Sequence, residues 1–168
     1  MKVRADAAVS AATLVARIRH SAIATSWLEA VLAGLAGFIT IYALAEATAT
    51  SGTVLLIAPF GASCVLVFAL PSSPLAHPRN VIGGHVLSTA IGLCVLSMMG
   101  ASPAALALGV GLAISAMSLT RTLHPPAGAD PIVVIMAGAS WHFLLVPVLA
   151  GAAAIVAIAA AFRRRTVR

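Results

Sequence analysis

Leu123-His124-Pro125-Pro126-Ala127-Gly128-Ala129-Asp130-Pro131 lies deep inside a very apolar chain, yet it has the chemistry of a loop. Two consecutive prolines forbid a continuous helix, because each lacks a backbone donor and restricts the residue before it. Asp130 followed by Pro131 reads as a helix start, with a side-chain acceptor at the N-cap and a proline at the first helical position. Broken backbone at membrane depth is tolerated only where protein or a wet cavity receives it. The break therefore needs a purpose as well as a place.

The surroundings set that depth. The 168 residues are 61% hydrophobic and 8% charged, with mean hydropathy +1.10. Soluble domains average about 25% charged residues, so the composition gives an all-α polytopic membrane protein with one domain. The net charge is +6, but the basic residues gather at the two ends: Lys2, Arg4, Arg17 and Arg19, then Arg163, Arg164, Arg165 and Arg168. Basic clusters beside apolar spans mark cytoplasmic flanks, not a nucleic-acid surface. Cys64 and Cys94 lack metal or redox spacing and read as buried thiols. The first 26 residues lack a signal-peptide layout. Residues 10–20 fit a short amphipathic helix at the membrane surface.

Working outward, residues 27–47 form a span of the length a bilayer needs, with Trp27 and Tyr42 as interfacial anchors and Glu29 and Glu46 as interfacial acids. Residues 53–70 are interrupted by Pro59-Phe60-Gly61-Ala62-Ser63, and the run 64–70 reads as a half-helix capped by Ser63. A polar connector, His77-Pro78-Arg79-Asn80, leads into a span at 81–99 that opens with Gly83-Gly84-His85. Spans at 104–119 and 143–162 flank the opening stretch and a short apolar run at 132–139. Domain boundaries follow: a cytoplasmic segment 1–26, a transmembrane domain 27–162 and a basic tail 163–168.

The chain also repeats. Pro59-Phe-Gly-Ala-Ser matches Pro126-Ala-Gly-Ala-Asp, and both are followed by apolar residues. The flanking spans match at the same offset, giving two three-segment units, about 27–99 and 103–162. With six segments and a cytoplasmic N-terminus, Arg79, Arg121 and the tail fall inside, as the positive-inside rule prefers. An odd number of segments per unit makes the two units inverted, each with a broken half-helix. The rival layout has four full spans and two re-entrant segments. Both layouts put the termini in the cytoplasm, and the expected location is a bacterial inner (plasma) membrane.

Two half-helix starts at matching breaks would present free N–H groups to a small anion. The candidate contacts are Gly61, Ala62 and Ser63 at the first break and His124, Gly128, Ala129 and Asp130 at the second. Pro59, Pro125, Pro126 and Pro131 make the breaks. Asp130 reads as a structural N-cap, and alternatively as a carrier of a proton or cation. His85 and His124 read either as cavity-facing donors and proton relays or as bonded to carbonyls that the prolines free. His77 and His142 read as interfacial. Arg79 and Asn80 read as a gate or as topology anchors. No cluster has metal-ligand spacing, no cofactor is implied, and no nucleophile elbow or phosphate loop occurs, so an enzyme is not expected.

These motifs together, His124-Pro125-Pro126-Ala127-Gly128-Ala129, Pro59-Phe60-Gly61-Ala62-Ser63 and Pro78-Arg79-Asn80-Val81-Ile82-Gly83-Gly84-His85, resemble the HPP family of integral membrane proteins over most of residues 27–160. The family is usually described with four transmembrane spans, and some plant chloroplast and cyanobacterial members are associated with nitrite transport. The resemblance implies a protein that passes nitrite or a similar small anion. Some members carry regulatory domains, for which this chain has no room after Phe162. Position 77 is often glutamine in the family, where this chain has His77.

The resulting expectation is a permease or channel for a small inorganic anion, nitrite first, using paired half-helix N-termini near the membrane midplane. The alternatives are a proton-linked or cation carrier using Asp130 and the histidines, and a non-transporting scaffold or sensor subunit. The expected partners are the lipid bilayer and the anion, with no nucleic acid. Gly- and Ala-rich spans also suit a homo-oligomer without choosing its number.

Overall fold

The computed structural model describes residues 26–166, with side chains to Arg163, and its described secondary structure is all helical. The amphipathic helix expected at residues 10–20 lies outside the described residues. The chain falls into two compact units, Met1–Ala30 and Val31–Arg168. Of the first, the described part is the opening of helix α1 (Trp27–Ser51). Here Ser26 and Glu29 form a capping box: the Glu29 amide donates to Ser26 Oγ (3.2 Å), and the Ser26 amide donates to Glu29 Oε2 (2.9 Å). Glu29 is thus an exposed acid, as its position suggests, and also the start signal of the first span.

Most prolines begin helices instead of merely ending them. Proline stands in the first two positions of α2 (Ala58–Cys64), α3 (Pro78–Met99), α4 (Pro103–Leu119) and α5 (Asp130–Met136). It does the same in the two 3-10 turns, Pro74–Ala76 and Pro125–Ala129. Its missing N–H is harmless there, and its fixed φ suits a first turn. Side chains complete several starts: His77 Nδ1 accepts from the Arg79 amide and Ser102 Oγ from the Ala105 amide, each at 3.2 Å. α2 runs on as a wider π-helical turn, Val65–Ala69. The last span is not continuous. Pro147 sits inside Leu144–Leu149, where Val146 is extended (φ −135°, ψ 117°), before α6 (Ala150–Thr166) resumes. A proline inside a helix removes a ladder donor and crowds the preceding turn.

Two of the helix ends use the left-handed closing turn. After α5, Gly138 (φ +58°) supplies it, and the Ala139 amide reaches back to Val134 O. After α4, Arg121 (φ +56°) fills the same role, with the Thr122 amide bonded to Met117 O at 2.9 Å. That turn delivers the chain directly into His124.

Among the described residues, three helices are long and apolar enough to cross a membrane: Trp27–Ser51, Pro78–Met99 and Leu144–Arg163. Ala58–Ala69 and Pro103–Leu119 are shorter apolar helices. The latter reaches about 26 Å, a little less than a typical hydrocarbon core. Large side chains point outward along the molecule, including Phe38, Met98 and Leu119. In a bilayer such a surface meets lipid tails. Cys64 is buried as expected, but Cys94 is exposed, on the outer side of α3.

Helix α3 is the post on which the rest is hung. It packs against α4, α5, α6 and the Pro125–Ala129 turn. Close approach requires missing side chains. A Cβ at Gly84 would stand 2.7 Å from His124 Cβ and 3.0 Å from Thr122 O. At Gly92 it would stand 2.7 Å from Pro131 Cα. Phe60, fully buried, is seated against Gly151 of α6 and joins Val67, Val81, Val148 and Ile155 in the main core. Gly84→Ala is expected to destabilise by about 1–3 kcal/mol, the usual cost of overpacking. Gly128→Ala, with nothing within 4 Å of its new methyl, is expected to be neutral. Thermal unfolding of both variants in detergent, beside the parent, checks the contrast.

Candidate functional site

The Pro59–Ser63 stretch is not a break but part of helix α2 (Ala58–Cys64), and it meets the His-Pro-Pro break. Ser63 of α2, His85 of α3, and His124 and Asp130 from the two ends of that break are all fully buried. They form one hydrogen-bonded chain. Asp130 Oδ2 lies 2.7 Å from His85 Nδ1, and His85 Nε2 lies 2.8 Å from Ser63 Oγ. Ser63 Oγ lies 2.9 Å from His124 Nε2, and His124 Nδ1 lies 2.9 Å from Leu75 O. The two imidazoles pack edge to face at 5.1 Å, and Phe60 closes the other side of His85 at the same distance.

Two expectations are corrected by this geometry. Ser63 is not an N-cap: α2 begins five residues earlier, at Ala58, with extended Ile57 before it. Pro59 already supplies the start, so Ser63 is mid-helix, where its hydroxyl is free to reach inward. Asp130 is not an N-cap either. It is the first residue of α5, whose cap position is Ala129, and its carboxyl is held by His85. A full charge-assisted bond to an imidazole outweighs a capping bond. Pro131, not Pro126, therefore stands in the structure where Pro59 stands.

The other candidates divide. The Arg79 guanidinium donates to Thr120 O and the Asn80 amide to Leu123 O, both at 2.9 Å. They brace the backbone leading into His124. Arg79 is exposed and points at that turn. His77 and His142 are exposed. Gly61, Ala62, Gly128 and Ala129 lie outside the polar chain. Gly61 and Gly128 face open space. Ala62 and Ala129 line an open groove of about 650 Å³ between α2 and the His-Pro-Pro turn, together with Pro59, Val65, Pro125 and Pro126.

The sequence reading named Asn80 and His85 of α3 but missed Ser88. Its Oγ donates to Ala127 O, which also accepts from the Asp130 amide. Asn80, Gly84 and Ser88 recur at four-residue spacing, and His85 and Thr89 form the adjacent row. Such rows share a helix face, and a polar stripe inside an apolar span was the available signal. Leu75 O, the acceptor for His124, carried none.

Donor arithmetic fixes what the chain can hold. A carbonyl only accepts, so His124 Nδ1 carries hydrogen toward Leu75. The four bonds need four hydrogens. An ionised Asp130, two neutral imidazoles and a hydroxyl bring only three. The fully bonded chain therefore has one proton more and is neutral overall, the form that low dielectric favours. That proton can reside on Asp130, His85 or His124 without breaking a bond. Asp130 Oδ1 and Thr89 Oγ1 are buried without a hydrogen-bond partner. Among the described residues no group of three or more His, Cys, Asp or Glu is placed to hold a metal. The nitrogens here are spent on each other's neighbours instead.

Comparison with known proteins bears on the whole domain. Residues 19–168 match the family model described as HPP, transmembrane region. Two proteins of Dictyostelium discoideum, both named as transmembrane proteins, are similar to this chain. One is 36% identical over 129 residues, covering 70% of this chain and 42% of the relative. The other is 41% identical over 105 residues, covering 58% and 37%. The chain thus spans about two fifths of the length of these relatives. No solved structure matches. With the family model covering nearly the whole chain and the His-Pro-Pro break at the centre of its fold, this chain belongs to the HPP family of transmembrane proteins.

Proposed function

We propose that this domain is a proton-linked membrane transporter of a small solute, with nitrite as the first cargo to test. One observation carries the reading: the buried Asp130–His85–Ser63–His124 chain ties helices α2 and α3 to the His-Pro-Pro break. Ionisable groups inside a membrane span are costly and usually mark proton or substrate paths. A chain that is neutral with a movable proton suits coupling better than simple anion capture. The open groove beside the His-Pro-Pro break is lined by Ala, Pro, Val, Leu and Ile, and it offers a solute no fixed cationic site. The choice of nitrite rests on the family resemblance alone.

The inverted three-segment plan belongs to the same reading. Two units with the proton chain between them provide a natural rocking element. We read both termini as cytoplasmic, a reading that the terminal basic clusters support. We read Ser63 as a relay and not a nucleophile, although Asp130, His85 and Ser63 stand in hydrolase order. Its hydroxyl is buried between two imidazoles, which leaves no room for an acyl group.

Purified protein in proteoliposomes tests the function. Nitrite uptake above that of empty vesicles, increased by an acid-outside pH gradient, is the expected result. Uptake equal to empty vesicles, with and without the gradient, would sink the proposal. Asp130→Asn can still donate to His85 Nδ1 but cannot ionise, so uptake is expected to lose its response to the gradient while the fold is kept. A Cβ added at Gly128 meets nothing within 4 Å, so Gly128→Leu can enter without a clash at its first carbon. It is expected to insert normally and abolish flux; normal flux would move the path away from the His-Pro-Pro break.

A further inference from the structure

The Ser63 hydroxyl has one hydrogen and three neighbours able to receive it. His85 Nε2 lies at 2.8 Å, His124 Nε2 at 2.9 Å, and Pro59 O, one turn back on α2, at 3.3 Å. In the neutral chain the hydrogen goes to one imidazole, and the oxygen accepts from the other. Each Nε2–Oγ bond then holds one hydrogen, so a further proton has no place at either Nε2. If the hydroxyl turns to Pro59 O, both imidazoles can donate to Ser63 Oγ. The chain then holds five hydrogens, one in each of five bonds, with a net charge of +1. Back-bonding of a helical serine to the carbonyl four residues before it is a common geometry and bends helices slightly.

We propose that Ser63 is a two-position proton switch: loading a proton onto the buried chain swings its hydroxyl from an imidazole to the Pro59 carbonyl. The proton arrives on an imidazole nitrogen, and nothing else is consumed or released. The consequence is that the charge of the His-Pro-Pro break is reported to α2, through a bond to the proline that starts it. The titratable groups facing the hydroxyl are His85 and His124, with Asp130 behind His85. Cys64, the next residue, turns toward Gly37 of α1. The Arg79 guanidinium is directed to Thr120 O, and the side chains that α6 brings to the main core are apolar. The switch rests on the proton-linked reading but makes a claim that needs no transport to be tested.

The test is nitrogen NMR of histidine-labelled protein in nanodiscs, in a background of His20→Gln, His77→Gln and His142→Gln that leaves the buried pair. At high pH His124 is expected as the Nδ1–H tautomer. On acidification one buried ring is expected to become doubly protonated, with the second ring shifting in step, as coupled groups do. Ser63→Ala is expected to uncouple the two rings. Ser63→Thr, which keeps the hydroxyl and the back-bond, is expected to restore the coupling. An Nε2–H tautomer at His124, or unchanged coupling in Ser63→Ala, would overturn the switch. The parent tautomer is decisive even if Ser63→Ala fails to fold. Coupled rings in a protein without flux would retire the transport reading alone; pH-driven flux with an Nε2–H His124 would retire the switch alone.

Discussion

Helices α2 and α3 and the His-Pro-Pro break are held together by one buried line of hydrogen bonds, from Asp130 through His85, Ser63 and His124 to the Leu75 carbonyl. Each of these groups would cost roughly 1–3 kcal/mol if buried without a partner. Paired in series, they turn that liability into cohesion between α2, α3 and the His-Pro-Pro turn. Removing an inner member, His85, Ser63 or His124, leaves two others short of a partner. The arrangement is therefore both a structural staple and the only fully buried ionisable cluster among the described residues. The proposed proton-linked function rests on that combination.

α3 makes the staple feasible. Its glycines let His124 and Pro131 come to backbone distance, while Asn80, His85 and Ser88 answer the groups that the broken chain presents. The prolines of the break do not leave a ragged loop. They start a 3-10 turn and then α5, and α3 side chains donate to the Leu123 and Ala127 carbonyls. Irregular backbone here is buried against protein, as the bilayer demands.

Much of this was legible in the residues. Hydropathy and charge placed the chain in a membrane, the prolines placed the His-Pro-Pro break, and the span at 81–99 appeared as α3 with only its first turn added. Ser63, His85, His124 and Asp130 were each singled out, and the two stretches were expected to face each other near the midplane, but through backbone N–H groups. The side-chain bonding order was hidden because it spans up to 67 positions of chain and depends on helix phase. Ser63 and Asp130 were assigned to caps because local propensity favours that role; long-range partners won. Pro147 within the last span was read through, because a single proline in an apolar run looks like the same span. The His124 acceptor, a main-chain carbonyl at Leu75, has no signature in any sequence.

The central claim is that solute movement and a proton on this chain are coupled. A pH-sensitive dye sealed inside proteoliposomes reads it directly when a nitrite gradient is imposed without a pH gradient. The account predicts acidification of the lumen with the parent protein beyond that of empty vesicles, and none beyond it with Asp130→Asn. Solute uptake without acidification beyond empty vesicles, or equal acidification in Asp130→Asn, would contradict it.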